Sequence, residues 1–227
     1  MLPLLLTLLA TLPVGEKLTY RVKYGPLTAG TLTLQVAGIE EVAGESCYHL
    51  VSHLRSNPDY AVLFTLDDVV ESYARTSDLV TLRTVKQIHE SKYEARISAD
   101  FDYRNNLVTY SDSTKCRVDE VSRDVLSLWY YFRTLDLEPE DEFLLASHVD
   151  KKNHEVEVTV GDETGIRTRM GTFQCLKVEM QSTGAAGSGE IYVSDDEDRI
   201  PVIIKTRMAL GYITATLTAR TEHAGSQ

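Results

Sequence analysis

The sequence predicts an all-β, mainly antiparallel protein, a curved sheet, half-barrel or barrel-like sandwich carrying one main α-helix at about residues 122–134. Three observations support this. Apolar and polar residues alternate strictly through most of the chain, the pattern of half-buried strands. Twelve tyrosines stand against one tryptophan, and rings with polar tips suit half-buried pleated faces. Only one stretch repeats its apolar residues at helical spacing. Residues 15–222 have the length of a single β domain able to bury a sizeable core. With 43% hydrophobic and 25% charged residues, the composition excludes long disorder and fibrous repeats.

The chain opens with Met1-Leu2-Pro3-Leu4-Leu5-Leu6-Thr7-Leu8-Leu9-Ala10-Thr11-Leu12-Pro13-Val14, which has no charged side chain. As a helix it spans ~21 Å, short of the roughly 30 Å of a hydrocarbon core, so residues 1–14 read as a cleavable signal peptide and not as a transmembrane span. No cysteine follows to accept a lipid. Leu18, Tyr20, Val22 and Tyr24 then alternate with Thr19, Arg21 and Lys23, and Gly25-Pro26 breaks this strand. Leu32, Leu34 and Val36 continue as its antiparallel partner. The longest alternation sets Tyr93, Ala95, Ile97, Ala99, Phe101 and Tyr103 against six polar residues, and Arg104-Asn105-Asn106 turns it back into Leu107-Tyr110. Further strands run through Val156–Val160, Leu176–Met180, Ile191–Val193, Val202–Thr206 and Ile213–Thr218.

The helix is read from Val121, Val125, Leu128, Trp129 and Phe132 behind Ser122 as N-cap. Val121 and Leu126 sit at staple positions, Asp124 lies in the first turn and Arg133 near the end, and Pro139 marks the limit. Its aromatic run Trp129-Tyr130-Tyr131-Phe132 should seal one end or face of the sheet. Glu71, Tyr73, Lys86 and Tyr93 match Glu190, Tyr192, Lys205 and Tyr212 at one constant offset. Chance helped by shared alternation accounts for it more readily than a distant duplication into two pseudo-repeated halves.

Charge and motifs exclude more than they assign. A formal net charge of −11 sets the chain against nucleic acid and other polyanions, and its cations, such as Arg21 and Lys23 or Lys86 and Lys92, fall singly between apolar residues. Cys47, Cys116 and Cys175 allow at most one bridge and match no zinc spacing. Cys47, His49 and His53 share one strand face, which reads as a solvated surface unless a third ligand such as His89 joins it. Gly184–Gly189 lacks the Lys-Ser/Thr of a phosphate loop and reads as a hairpin. Asp195-Asp196-Glu197-Asp198 lacks the spacing of a calcium loop and reads as an acidic turn before Pro201.

Several blocks taken together carry a resemblance. They are Gly15-Glu16-Lys17-Leu18-Thr19-Tyr20 with Gly30, Asp124 to Arg133, Ser194 to Pro201, and Gly211. In this order they resemble the bacterial envelope family known as domain of unknown function 3108, with Tyr192 where a tryptophan is expected. The resemblance implies an exported protein and a general build, and no catalytic residue. The acidic turn, proline and glycine-containing strand are also similar to hairpins of the LolA and LolB lipoprotein carriers, a likeness of fold only.

The expectation that follows is a periplasmic or envelope protein whose curved sheet binds an apolar or amphiphilic ligand such as a lipid or lipoprotein acyl chain. Trp129, Tyr130 and Arg133 would contact or gate it, with Arg133 pairing a headgroup or an acid such as Asp195. No catalytic residue, metal or cofactor is expected. The alternatives are a non-enzymatic module docking an envelope partner through its edges, or a hydrolase using Asp195 or Asp196 with a histidine.

Overall fold

The computed structural model describes residues 11–60, 65–119, 121–182, 188–208 and 211–222. Fourteen strands form one antiparallel sheet. In chain order they are β1 (Lys17–Tyr24), β2 (Leu27–Val42), β3 (Glu45–Ser56), β4 (Asp67–Arg75), β5 (Thr81–Glu90), β6 (Tyr93–Asp102), β7 (Leu107–Tyr110), β8 (Lys115–Arg117), β9 (Glu142–Val149), β10 (Lys152–Thr168), β11 (Gly171–Ser182), β12 (Ser188–Ser194), β13 (Pro201–Met208) and β14 (Gly211–Thr221). Among the described residues one α-helix, α1 (Val125–Phe132), lies between β8 and β9, and a single 3-10 turn at Pro58–Tyr60 follows β3.

Every strand pairs with its chain neighbour except across α1, and β1 pairs with β14. The sheet is therefore a circular meander left open between β8 and β9. Register shifts at Val22/Lys23, Val36/Gly38 and Val160/Glu163 add bulges that bend it. At one close approach only glycine fits, because a Cβ on Gly30 would lie 2.1 Å from the Arg55 carbonyl oxygen.

The gap is bridged by two residues. Thr81 N–H donates to the Ser122 carbonyl (3.1 Å), Arg123 N–H to Ala146 (3.2 Å), and His148 N–H to the Arg123 carbonyl (3.0 Å). Ser122 and Arg123 thus stitch the start of β5 to β9, and the Tyr103 hydroxyl lies 2.8 Å and 3.0 Å from the Thr81 and Ser122 carbonyl oxygens. Ser122 is consequently part of this seam and not the helix cap. The cap is Asp124, whose carboxylate accepts the Ser127 N–H at 2.7 Å.

That shift rotates the buried face of the helix. Leu126, Leu128, Tyr130 and Phe132 are buried, whereas Val121 and Val125, expected on the apolar stripe, are 48% and 46% exposed. The helix shares one buried core with inward residues of both flanks, including Leu18, Tyr20, Leu34 and Leu50 on one side and Val158, Val178, Ile191 and Leu217 on the other. Leu12 joins this core, and its N–H meets the Tyr48 hydroxyl at 3.3 Å.

Folding also corrects one reading of the charge. Lys17, Arg21, Arg55 and Arg169, scattered in sequence, line a single groove on the outer face of β1–β3. Of the offset matches, Glu71 and Glu190 both accompany an outward tyrosine. Lys86 pairs in register with Val70 and Lys205 with Glu190, so the two lysines fall on opposite faces. The Gly184–Gly187 part of the glycine-rich segment lies outside the described residues, and Ser188 and Gly189 open β12.

Candidate functional site

On the inner face of the sheet α1 meets β3, β4 and β9, and a hollow lies beside its first turn. There β4 to β7 arch over a cavity of about 290 Å³. Its wall is apolar: Val70 from β4, Ile88 from β5, Ile97, Ala99 and Phe101 from β6, and Leu126 from α1. One of the inward residues that line it from β6 is Ala99, and a small side chain on a concave face leaves space unfilled.

Polar groups ring the mouth. Lys86 projects inward from β5 and pairs with Asp150 at 2.8 Å, tying β5 to the β9–β10 turn. His148 closes the side nearest the seam. Its Nδ1 lies 2.6 Å from Asn153 Oδ1 and its Nε2 3.0 Å from the Tyr110 hydroxyl, which itself accepts the Lys151 N–H at 2.9 Å. One ring N–H donating to Asn153 and one bare nitrogen accepting from Tyr110 describe a neutral imidazole. Burial pushes the pKa of His148 below its usual 6.5, in keeping with that form. Phe101 meets the same ring edge-on, with centroids 5.6 Å apart.

The helix N-terminus borders the cavity but is already satisfied. Asp124 accepts from Ser127 N–H and from the Thr84 hydroxyl (2.5 Å), and its own N–H donates to Thr81 Oγ1 (2.9 Å). What remains for a guest is an apolar pocket with a lysine–aspartate pair at its lip.

The residues expected to hold a ligand lie elsewhere. Tyr130 is buried on the far side of the helix, and burial raises its phenol pKa well above 10. Trp129 is half-buried and packs against the core. Arg133, 2% exposed in its side chain, faces neither a headgroup site nor Asp195. It binds both carboxylate oxygens of the equally buried Glu16 and the Asp198 carbonyl (3.1 Å). Arg220 Nε lies 3.1 Å from the same glutamate, and its guanidinium pairs with Asp198 at 2.5 Å, holding that carboxyl below the usual range. Asp195 is exposed on the β12–β13 turn, its N–H bonded to the Gln174 carbonyl. Asp196 organises that turn, accepting from Ser194 Oγ (2.8 Å) and from the N–H groups of Asp198 and Arg199.

The histidines of β3 are engaged by different acids. His49 is held between Glu40 (2.9 Å) and Glu71 (2.8 Å) and stacks on Tyr73, while His53 meets Asp67. Among the described residues no cluster of three such groups could hold a metal ion. No described helix is long and apolar enough to cross a membrane.

Comparison with known proteins bears on build alone. A family model described as protein of unknown function (DUF3108) matches residues 19–218. Among solved structures, the crystal structure of a beta-barrel-like protein of domain of unknown function DUF1849 from Brucella abortus superposes with a TM-score of 0.66. It covers 94% of this chain and 99% of that chain at 9% identity, a likeness of fold. No curated protein matches the chain.

Proposed function

Since the chain belongs to the DUF3108 family of proteins of unknown function, its chemistry has to come from the site, and we propose a non-catalytic binding protein that takes the apolar chain of an amphiphile into the cavity under β4–β7. The observation that carries this reading is an apolar hollow bordered by the first turn of α1, with Lys86 at its lip. Ligand pockets span roughly 300–1,000 Å³, so about 290 Å³ suits one chain and is too small for a two-chain lipid. Lys86, offered an anionic headgroup, would exchange Asp150 for it at the rim. The neutral His148 leaves the wall beside Phe101 uncharged.

We read the setting as the cell envelope, reached by export. The uncharged apolar opening of the chain supports this. Because Leu12 is buried in the core, the reading favours a mature chain that retains Leu12 over one cut after Val14.

Calorimetric titration with a single-chain C10 fatty acid tests the function. Saturable one-to-one binding is expected, reduced more than tenfold by Ile97→Trp, which fills the hollow, and unchanged by Tyr93→Ser on the exposed hairpin. Absence of saturable binding, or equal binding by Ile97→Trp, removes the reading.

A second reading rests on a different observation. β9 ends the sheet, and Leu144 at its centre is 59% exposed. The part of that edge before Ala146, which Arg123 does not stitch, offers backbone groups and an apolar side chain to a partner that adds a strand, as expected of an envelope assembly module.

A further inference from the structure

We infer that the groove on the outer face of β1–β3 is a second binding site, independent of the inner cavity, and that its ligand is an anionic oligosaccharide. The groove measures about 1090 Å³. It runs on into a smaller hollow of about 290 Å³ that shares Arg21, Arg169 and Thr218 with it and adds Lys23 and Arg167.

Register explains how distant residues meet there. Arg21 on β1 pairs with Thr31 on β2, Thr31 with Arg55 on β3, and Arg55 with Asp67 on β4, one continuous cross-strand row. Strands are ~4.8 Å apart, which sets Arg21 and Arg55 about 10 Å from each other with a threonine between them. Lys17 stands four residues from Arg21 on the same face, about 13 Å away. Arg167 and Arg169 arrive from the tip of the β10–β11 hairpin, which reaches the β14–β1 side of the groove.

The charge is uncompensated. Asp67, the sole carboxylate among the described lining residues, is committed to His53 and to Arg55 Nε at 3.6 Å. Lys17, Arg21, Lys23, Arg167 and Arg169 form no ion pair with a described residue. In a chain of net charge −11, five unpaired cations converging on one concavity are a local inversion of the protein's field.

The lining selects among anions. Cations spaced ~10–13 Å apart match charges carried on every second ring of a sugar chain better than one compact ion. The floor between them is hydroxyl-rich, with Thr19, Thr31, Thr33, Ser56 and Thr218, suited to ring hydroxyls. Among the described lining residues Tyr20 carries the one phenyl ring, and it is buried on the opposite face with its hydroxyl on the Pro201 carbonyl (2.8 Å), so it offers no platform for stacked bases. A recessed groove also fits a narrow chain better than the flat surface of a bilayer.

Calorimetric titration at low salt with a sulfated tetrasaccharide tests the inference, alongside its desulfated form, a ten-residue oligothymidine and vesicles of anionic phospholipid. The charged tetrasaccharide alone should bind, more weakly as salt rises. Arg21→Gln and Arg169→Gln should each reduce affinity at least tenfold, while Lys92→Gln and the cavity-filling Ile97→Trp leave it unchanged. No binding, undiminished binding by both groove variants, or preference for the oligothymidine or the vesicles overturns the inference. Self-association abolished by Arg21→Gln also overturns it, in favour of a second copy's acidic surface.

Discussion

At its C-terminal end α1 is locked by charge: Arg133 grips Glu16 in the interior, and Arg220 and the Asp198 carbonyl close around the pair. At its other end the helix borders a hollow, with Asp124 held by short bonds to hydroxyls and to its own first turn. Buried ion pairs add little net stability over well-packed apolar residues, but they tolerate few geometries. The contrast suggests a division of labour. A helix pinned at one end stays in place, and the space beside its other end need not collapse around missing side chains.

The largest effect should come from breaking the lock. Glu16→Gln leaves a buried guanidinium without its carboxylate and is expected to cost about 3–5 kcal/mol in urea unfolding. The double change Glu16→Leu with Arg133→Met should restore most of that loss, because both charges leave the interior together. A loss under about 1 kcal/mol for Glu16→Gln would show that the pair does not hold the helix.

Changes at the hollow end should cost less. Asp124→Ala removes the cap and strands the Thr84 hydroxyl, for an expected loss of about 1–2 kcal/mol, with Asp124→Asn retaining most of the stability. If Asp124→Ala proves as damaging as Glu16→Gln, the two ends are equally structural.

The smallest effect is one of pH. The folded-state pKa of His148 lies below its ordinary 6.5, so on acidification the unfolded chain takes up a proton first. The stability associated with the neutral ring is complete above 6.5 and is lost as pH falls through the lower folded value. Thermal unfolding between about pH 7 and about pH 5 should therefore show a decline that is shallower in His148→Gln. An identical decline in the variant would exclude His148 as its source.

Much of the fold was legible because alternation is a local signal. The strand from Leu18 to Tyr24 and the long run from Tyr93 to Phe101 fall where the pattern set them, and Pro201 opens a strand as its missing N–H allows. The helix was legible in place but not in phase: Ser122 and Asp124 are both good caps, and the choice was made by Thr81 and Thr84, some forty residues away in sequence. Glu16 carried no signal, since a lone acid beside a strand start reads as solvated, and its partner comes from the far end of the helix. The inner cavity was not read from the sequence, although Ala99, which lines it, sits in the longest alternation. The outer groove was not visible at all, because Lys17 and Arg169 are brought together through the closure of first strand on last, the β1–β14 pairing, which no local pattern encodes.

That closure also governs how the chain reaches its native state. Lys17 pairs with Thr221 and Tyr24 with Ile213, so the first strand waits for the last before its second edge is covered. Contacts of such long sequence separation pay loop-closure entropy before they return any stability, which places folding among the slow, topology-limited cases. Until β14 arrives, β1 presents an open row of N–H and C=O groups to any neighbouring chain. The vulnerable interval for this protein is thus the time between synthesis of its first strand and release of its last, and a chaperone that covers β1 during that interval would raise yield without touching the finished fold.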